Sequence, residues 1–325
     1  MGEDDLREEV ATLKKEVSKL RLETNLRKSL ANELEKQKKV ANTAKAELEE
    51  KHRNLISSLN YAARIQTSIL PSRAALDRLF PGHFIFWEPQ NIVGGDAYFL
   101  HLADMAGSGT PASEPAAAKP KAGVFSVYDC TGHGVPGAFM TLLGERALET
   151  GCGLAAADDA RAGGILSHVD DFIRREVNAE DGTEANDGMD CLVLDVGADG
   201  SCRYASANFT LFGQTADGFV ELETDEASVG YRLEAGETAP EFTTHRLDLS
   251  RFRSIVIASD GILDQVGGPK GLSLGRRRLT AMLAAATQAP GSAIPIDGDA
   301  VVTAIRDYQG AREQRDDMTL IILPC

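Results

Sequence analysis

From Leu6 to about Leu70 the chain contains no Gly and no Pro, and its apolar residues recur at helical spacing. Leu6, Val10, Leu13, Val17 and Leu20 step by four and three, the a/d seam of a coiled coil. Leu22, Leu26, Leu30 and Leu34 then step by four, and a seven-residue rhythm resumes through Ala41, Leu48, Leu55, Ala62 and Ile69. A slip of this kind changes the supercoil locally. The stripe is too narrow for a helix lying on a globular core but fits a two-chain seam, so residues 1–70 are predicted to form a dimerising and signalling helix. Polar residues at Thr24, Arg27 and Lys38 weaken the seam in places. Pro71 ends it, because the residue before a proline is pushed out of helical backbone.

After Pro71 the rhythm changes to short apolar runs, which predict strands at Phe84–Trp87, Asp96–Leu102 and Val124–Tyr128. Between Asp104 and Lys121 the chain is Ala, Ser, Gly, Pro and Thr with almost no large apolar residue, which predicts a flexible hairpin loop. Pro136-Gly137 opens a helix to about Glu149, and Ile165, Val169, Phe172, Ile173 and Val177 mark one face of a second. Strands follow at Cys191–Val196, Cys202–Ser206, Thr210–Gln214, Phe219–Leu222, Phe242–Leu247 and Ser254–Ala258. Helices over Leu272–Thr287 and Gly298–Tyr308 precede a last strand, Thr319–Leu323. Runs of strands with helices segregated between them imply a layered α+β domain over residues 71–325.

The charge is unevenly placed. Residues 1–60 hold 13 Lys/Arg against 12 Asp/Glu, so the remainder holds 21 against 37, a net of −16 out of −15 for the whole chain. So acidic a domain is a poor partner for nucleic acid. No apolar run approaches bilayer length. Cys130, Cys152, Cys191, Cys202 and Cys325 show no paired spacing, and an odd count argues against a disulfide framework. A reducing, cytoplasmic setting is expected. Because the chain opens Met1-Gly2 directly on a coiled coil, it reads as the cytoplasmic part of a sensor whose upstream sensor or membrane region is removed.

Four aspartates stand at the edges of apolar runs: Asp96 before Ala97-Tyr98-Phe99-Leu100, Asp129 after Val124–Tyr128, Asp260 after Ile255–Ser259, and Asp316 before Asp317-Met318-Thr319. A strand delivers its terminal residue to the rim of a sheet, so carboxylates far apart in sequence can converge there. Singly, such residues are turn formers or helix caps. Together, hard oxygen donors suit Mg²⁺ or Mn²⁺ rather than zinc, and point to hydrolysis by metal-activated water.

The surroundings carry a resemblance. Asn91-Ile92-Val93-Gly94-Gly95-Asp96, Asp129-Cys130-Thr131-Gly132-His133-Gly134, Ala258-Ser259-Asp260-Gly261 and Arg315-Asp316-Asp317-Met318-Thr319 occur in order. With Ile65-Gln66-Thr67-Ser68-Ile69-Leu70-Pro71, Gly188-Met189-Asp190, Ala205-Ser206-Ala207-Asn208 and Gly267-Gly268-Pro269-Lys270-Gly271, they resemble the SpoIIE-like bacterial branch of the protein phosphatase 2C family, metal-dependent Ser/Thr phosphatases. The resemblance runs from about Ile65 to the C-terminus. It implies a four-layer α-β-β-α sandwich of mainly antiparallel sheets, preceded here by the coiled-coil helix. It also implies two Mn²⁺ or Mg²⁺ ions, with Asp129 bridging them and the Cys130 carbonyl completing the shell. Asp96 and Asp260 would ligate one ion, and Asp316 would stand on the other side. Water between the ions would attack phosphorus with no phosphoenzyme. The implied substrate is a phosphorylated protein, a STAS-type anti-sigma-factor antagonist in partner-switching signalling.

Several residues keep two readings. His133 is either the general acid for the leaving alcohol or a loop residue at a helix entry, since Asp129 and His133 stand two residues further apart than in many relatives. Asp317 either supports the ligands from behind or is a simple cap, and Asp187 and Asp190 either hold a third, weaker metal or lie on an exposed loop. Cys130 reads as a buried spacer, because it lacks the basic surroundings of a nucleophilic thiol. Pro89–Gly95 contains no arginine to hold a phosphate, unlike eukaryotic relatives, which favours a slow enzyme dedicated to one partner. The alternative is a non-catalytic signalling module that binds a partner through the same fold. Retention of four mutually repelling aspartates argues against it.

Overall fold

Alternation along the central strands sets the architecture. In β3 (Gly123–Cys130), Phe125 and Val127 turn to one face while Val124, Tyr128 and Cys130 turn to the other. In β4 (Met189–Val196), Leu192 and Leu194 share the face of Phe125, whereas Cys191 and Val193 oppose it. Such strands need cover on both sides, and they have it. One antiparallel sheet runs in the order β2 (Asp96–Leu102), β3, β4, β5 (Cys202–Ala207), β8 (His245–Leu247). The second runs β1 (Phe84–Glu88), β12 (Met318–Pro324), β9 (Ser254–Ala258), β6 (Thr210–Thr215), β7 (Gly218–Glu221).

The sheets meet over Phe125, Val127, Leu192, Leu194, Leu211, Ile255, Ile257 and Ile321. Helices α3 (Gly134–Leu154) and α4 (Arg161–Glu176) cover the outer face of the first sheet through Leu148, Ile165, Val169 and Ile173. Helices α6 (Gly275–Ala285) and α7 (Gly298–Gln309) cover the second through Leu279, Leu283, Val301 and Ile305. This is the expected α-β-β-α sandwich. Each fully buried aliphatic side chain in these three layers contributes about 1.5–3 kcal/mol.

The computed structural model describes residues 2–103, 122–155, 158–178, 186–234, 236–289, 291–292 and 294–325; the flexible loop expected at 104–121 lies outside them. Helix α1 spans Glu3–Ile69, and the chain divides into two compact units, Met1–Ser58 and Leu59–Cys325. In the first unit Leu13, Leu22, Leu26 and Leu48 are 54–72% exposed, and the ion pairs Lys39–Glu35 and Lys45–Glu49 lie at the surface. Such pairs add only tenths of a kcal/mol.

Two expectations are corrected. The helix expected from Leu272 starts at Gly275, because β11 (Leu272–Ser273) pairs with β10 (Val266–Gly267) across a turn in which Gly268 and Gly271 both take φ +62°. The strand expected from Phe242 begins only at His245: the Phe242 carbonyl lies where a Cβ on Gly163 of α4 would stand (2.2 Å), so the chain there follows a helix rather than a sheet edge. Two one-turn helices were not legible, α2 (Arg73–Leu76), capped by Ser72, and α5 (Asp260–Leu263).

Candidate active site

Strand register brings the aspartates together. Asp96 sits directly across from Asp129, and Asp129 directly across from Asp190, so β2, β3 and β4 each contribute one carboxylate at the same level. Opposed residues of an antiparallel pair place their side chains on one face, about 4.5–5.5 Å apart. By alternation that is the inward face of Tyr98, Val127 and Leu192, so the row continues the inter-sheet core at the end where the sandwich opens. The second sheet supplies the rest. Asp260 opens α5 immediately after β9, and Asp316 precedes β12.

Asp129, Cys130, His133, Asp260 and Asp316 line one cleft of about 190 Å³, together with Thr131, Gly132, Asp190 and Tyr231. Asp96 stands behind it, 1% exposed. Its Oδ2 accepts a 2.6 Å bond from the Thr319 hydroxyl, and its backbone carbonyl accepts from the Trp87 indole at 2.9 Å. Its Oδ1 is buried with no hydrogen-bond partner. A buried carboxylate oxygen without a donor is costly.

Burial pushes the Asp96 carboxyl up to about 8, with the Thr319 hydrogen bond pulling partly the other way. Burial also raises Asp129 well above the carboxylate range, and the charges of Asp96, Asp260 and Asp316 add to it. Asp260 is raised by burial, and the charge of Asp316 adds to it. Asp190 is pushed up to about 6 by burial, although Ser228 and Asn208 hydrogen-bond it at 2.5 and 2.8 Å. Like charges this close hold protons toward neutral pH unless cations replace them.

The donors fit a hard divalent cation on two counts, an all-oxygen set and the orphaned Oδ1 of Asp96. Among the described residues, no three Asp, Glu, His or Cys side chains are drawn to the spacing of a finished coordination shell. No Lys or Arg is among the described residues lining the cleft. The Cys130 side chain is buried in the core under α3, and burial drives its thiol well above the ordinary range, which rules out a nucleophilic role.

The loop before Asp96 is clamped from two sides. Asp317 accepts from the Gln90 and Gly95 amides at 2.6 and 2.5 Å, which makes it a brace for the ligand loop rather than a helix cap. Gln66 is 2% exposed; its amide donates to the Gly94 carbonyl at 2.6 Å and its Oε1 accepts from the Gly94 amide at 3.2 Å. Glycine is required here, since a Cβ on Gly95 would stand 2.6 Å from the Gly132 carbonyl. His133 is exposed at the start of α3, with its Nδ1 3.1 Å from the Asn91 side-chain amide.

Asp190 is not the exposed-loop residue that one of its two sequence readings made it. It lies in β4, and only the apolar run Cys191–Val196 behind it hints at a strand end. Tyr231, whose hydroxyl meets the Thr131 hydroxyl at 2.7 Å on the cleft wall, had no local signal. Gln66 and Thr319 sat inside motifs whose individual members could not be ranked.

Residues 119–325, more than half of the chain, match the family model described as Stage II sporulation protein E (SpoIIE). No curated protein sequence matches. Among solved structures, the PP2C domain of SiaA from Pseudomonas aeruginosa is similar with a TM-score of 0.66 and 28% identity, over 84% of this chain and 97% of that one. The RsbU and RsbW domains of a Mycobacterium tuberculosis protein give 0.51 and 20%, over 76% and 60%. The PP2C phosphatase domain of SpoIIE from Bacillus subtilis, with a fragment of its regulatory domain, gives 0.50 and 14%, over 75% and 63%. The last two share the fold.

Proposed function

Since the chain belongs to the Stage II sporulation protein E (SpoIIE) family of protein phosphatase 2C-type domains, we propose that it is a metal-dependent phosphoserine/phosphothreonine protein phosphatase in partner-switching signalling. The observation that carries this reading is the cleft shared by Asp129, Asp260 and Asp316 in front of Asp96, whose buried Oδ1 lacks a partner. Asp129, Asp260, Asp316, Asp96 and the Cys130 carbonyl would hold two Mn²⁺ or Mg²⁺ ions. Bound divalent cations supply the acidification of water and the neutralisation of phosphoryl charge.

The remaining work falls to the chain's own groups. Thr319, Trp87 and Asp317 fix Asp96 and its loop before substrate arrives, so little reorganisation is left for the reaction. His133, which lines the cleft, would supply the proton to the departing serine or threonine oxygen. The substrate is a phosphorylated protein of the STAS-type antagonist class, and the protein acts as a homodimer through its N-terminal helix.

The decisive measurement is hydrolysis of an aryl phosphate and of a phosphoserine protein after EDTA treatment, with Mn²⁺ or Mg²⁺ added back. Restored turnover is expected with either ion and not with Ca²⁺ alone. Silence on both substrates at every metal concentration would leave the non-catalytic binding module standing instead. On the same assay, His133→Ala should lose about 100-fold or more on phosphoserine and only a few-fold on the aryl phosphate, whose leaving group needs no proton. Equal losses would assign His133 to the helix entry alone.

A further inference from the structure

One surface of the second unit departs from its charge. From Asp264 to Arg278 and from Gly310 to Arg315 the chain has six basic residues and two acidic ones, in a unit whose net charge is −16. The fold joins the two stretches. The Tyr308 hydroxyl donates to the Leu272 carbonyl at 2.8 Å, and the Gly268 amide donates to the Tyr308 carbonyl at 2.7 Å. The Gln265 side chain donates to the Glu313 carbonyl at 3.1 Å and accepts from the Arg315 amide at 3.3 Å. Arg312 lies against the hairpin at Gly271, and the Arg278 guanidinium lies 5.7 Å from the centre of the Tyr308 ring.

Five of the six cations have no carboxylate partner among the described residues: Lys270, Arg277, Arg278, Arg312 and Arg315. Arg276 alone is paired, with Glu221 at 2.8 Å. Lys270, Arg277, Arg312 and Arg315 are exposed, and so is Leu272 on β11 (49%), an apolar contact in the middle of the charges. The patch borders the cleft. Arg315 precedes Asp316, and Gln265 follows the α5 turn that begins at Asp260. The cleft wall itself has no Lys or Arg among its described residues, so a fixed attraction for an anionic substrate comes from outside it.

We propose that the β10–β11 hairpin, the first turn of α6 and the 310–315 loop form a docking surface for an acidic phosphoprotein, which steers the phosphorylated residue into the adjacent cleft. The inference rests on the phosphatase reading and names how that site recognises its substrate. Without such a patch, an acidic partner would meet a like-charged domain. With it, approach is favourable on one side only, and that side leads to Asp260 and Asp316. Leu272 adds an apolar contact inside a polar rim, the usual anatomy of an interface.

The test is the triple charge reversal Lys270→Glu/Arg277→Glu/Arg312→Glu, made in the full chain. None of the three holds a catalytic group. Two fluorescein-labelled phosphoserine peptides serve as probes, one flanked by six Asp/Glu and one by six Asn/Gln. Binding is read by anisotropy and KM by phosphate release, with aryl phosphate turnover as the control for folding. The reversal should raise Kd and KM for the acidic peptide by about tenfold or more, and 0.3 M NaCl should do the same to the wild type. The neutral peptide and the aryl phosphate should be unaffected. Equal binding of the acidic peptide before and after reversal overturns the proposal, as does an equal loss on both peptides. So does a reversal that changes only the molar mass in light scattering, which would make the surface a contact between copies of this chain. If the acidic peptide binds through the patch but no phosphate is released with any metal, the docking surface stands and the phosphatase reading fails.

Discussion

The carboxylate cleft and the N-terminal helix are built to opposite errors. In the cleft, charged groups are buried: Asp96 is 1% exposed and one of its oxygens has no donor. In the first unit, apolar groups are exposed: Leu22 is 72% open to solvent and Leu26 68%. Either arrangement alone is unfavourable, one through desolvated charge and the other through hydrated hydrocarbon. Each is the kind of departure on which the proposals above rest. Buried carboxylate oxygens suit hard cations, and a narrow apolar stripe suits a coiled-coil seam. A departure from ordinary burial is more informative about function than the well-packed core between the sheets, which any sandwich of this class requires.

Breaking the first half of that comparison should have the largest effect. Asp129→Ala removes the carboxylate at the centre of the row and should lower phosphatase turnover on the order of a thousandfold or more. The metal-free variant should melt no lower than the wild type, because a like charge is gone from a crowded site. Turnover near wild type with Mn²⁺ present would remove Asp129 from the chemistry.

Breaking the second half should halve the molar mass. Deleting residues 1–58, the whole first unit, is expected to convert a dimer into a monomer in light scattering and to change turnover on the protein substrate. A full-length chain that is already monomeric, or a shortened one that stays dimeric with unchanged turnover, would mean the exposed leucines serve something else.

The smallest effect sharpens the cleft itself. The Asp96 carboxyl is raised to about 8 when folded, against roughly 3.9 in an unfolded chain. Its contribution to stability is thus full below about pH 4 and is lost as pH rises toward 8, because the unfolded chain ionises first. Without metal, the melting temperature should fall by several degrees between pH 5 and pH 8, and Asp96→Asn should flatten that slope. A wild-type slope matched by the variant would show that Asp96 does not carry the dependence.

Much of this was legible along the chain. The run Ile255–Ala258 is apolar throughout, as a strand covered on both faces must be, and with Ser254 before it forms β9. The four aspartates could be picked out because each ends or begins such a run, and a run that stops at a carboxylate places it at the rim. Asp190 stood among the candidates, but its place in the row depends on lying opposite Asp129, a pairing across 61 positions that no local pattern encodes. The hairpin at Val266–Ser273 escaped because its strands are two residues long, too short for alternation to register.

By itself, then, the sequence determined the layers, the helix with its exposed stripe, and the residues whose chemistry suits a hard cation. These follow from periodicity and side-chain type, which are properties of neighbours along the chain. The tertiary structure alone decided that Asp96, Asp129 and Asp190 stand in one row, that Gln66 and Asp317 brace the loop beside them, and that cations from two separate stretches meet at the edge of the cleft. Those follow from strand register and from long-range hydrogen bonds, in which a shift of one residue would turn every inward carboxylate to the opposite face.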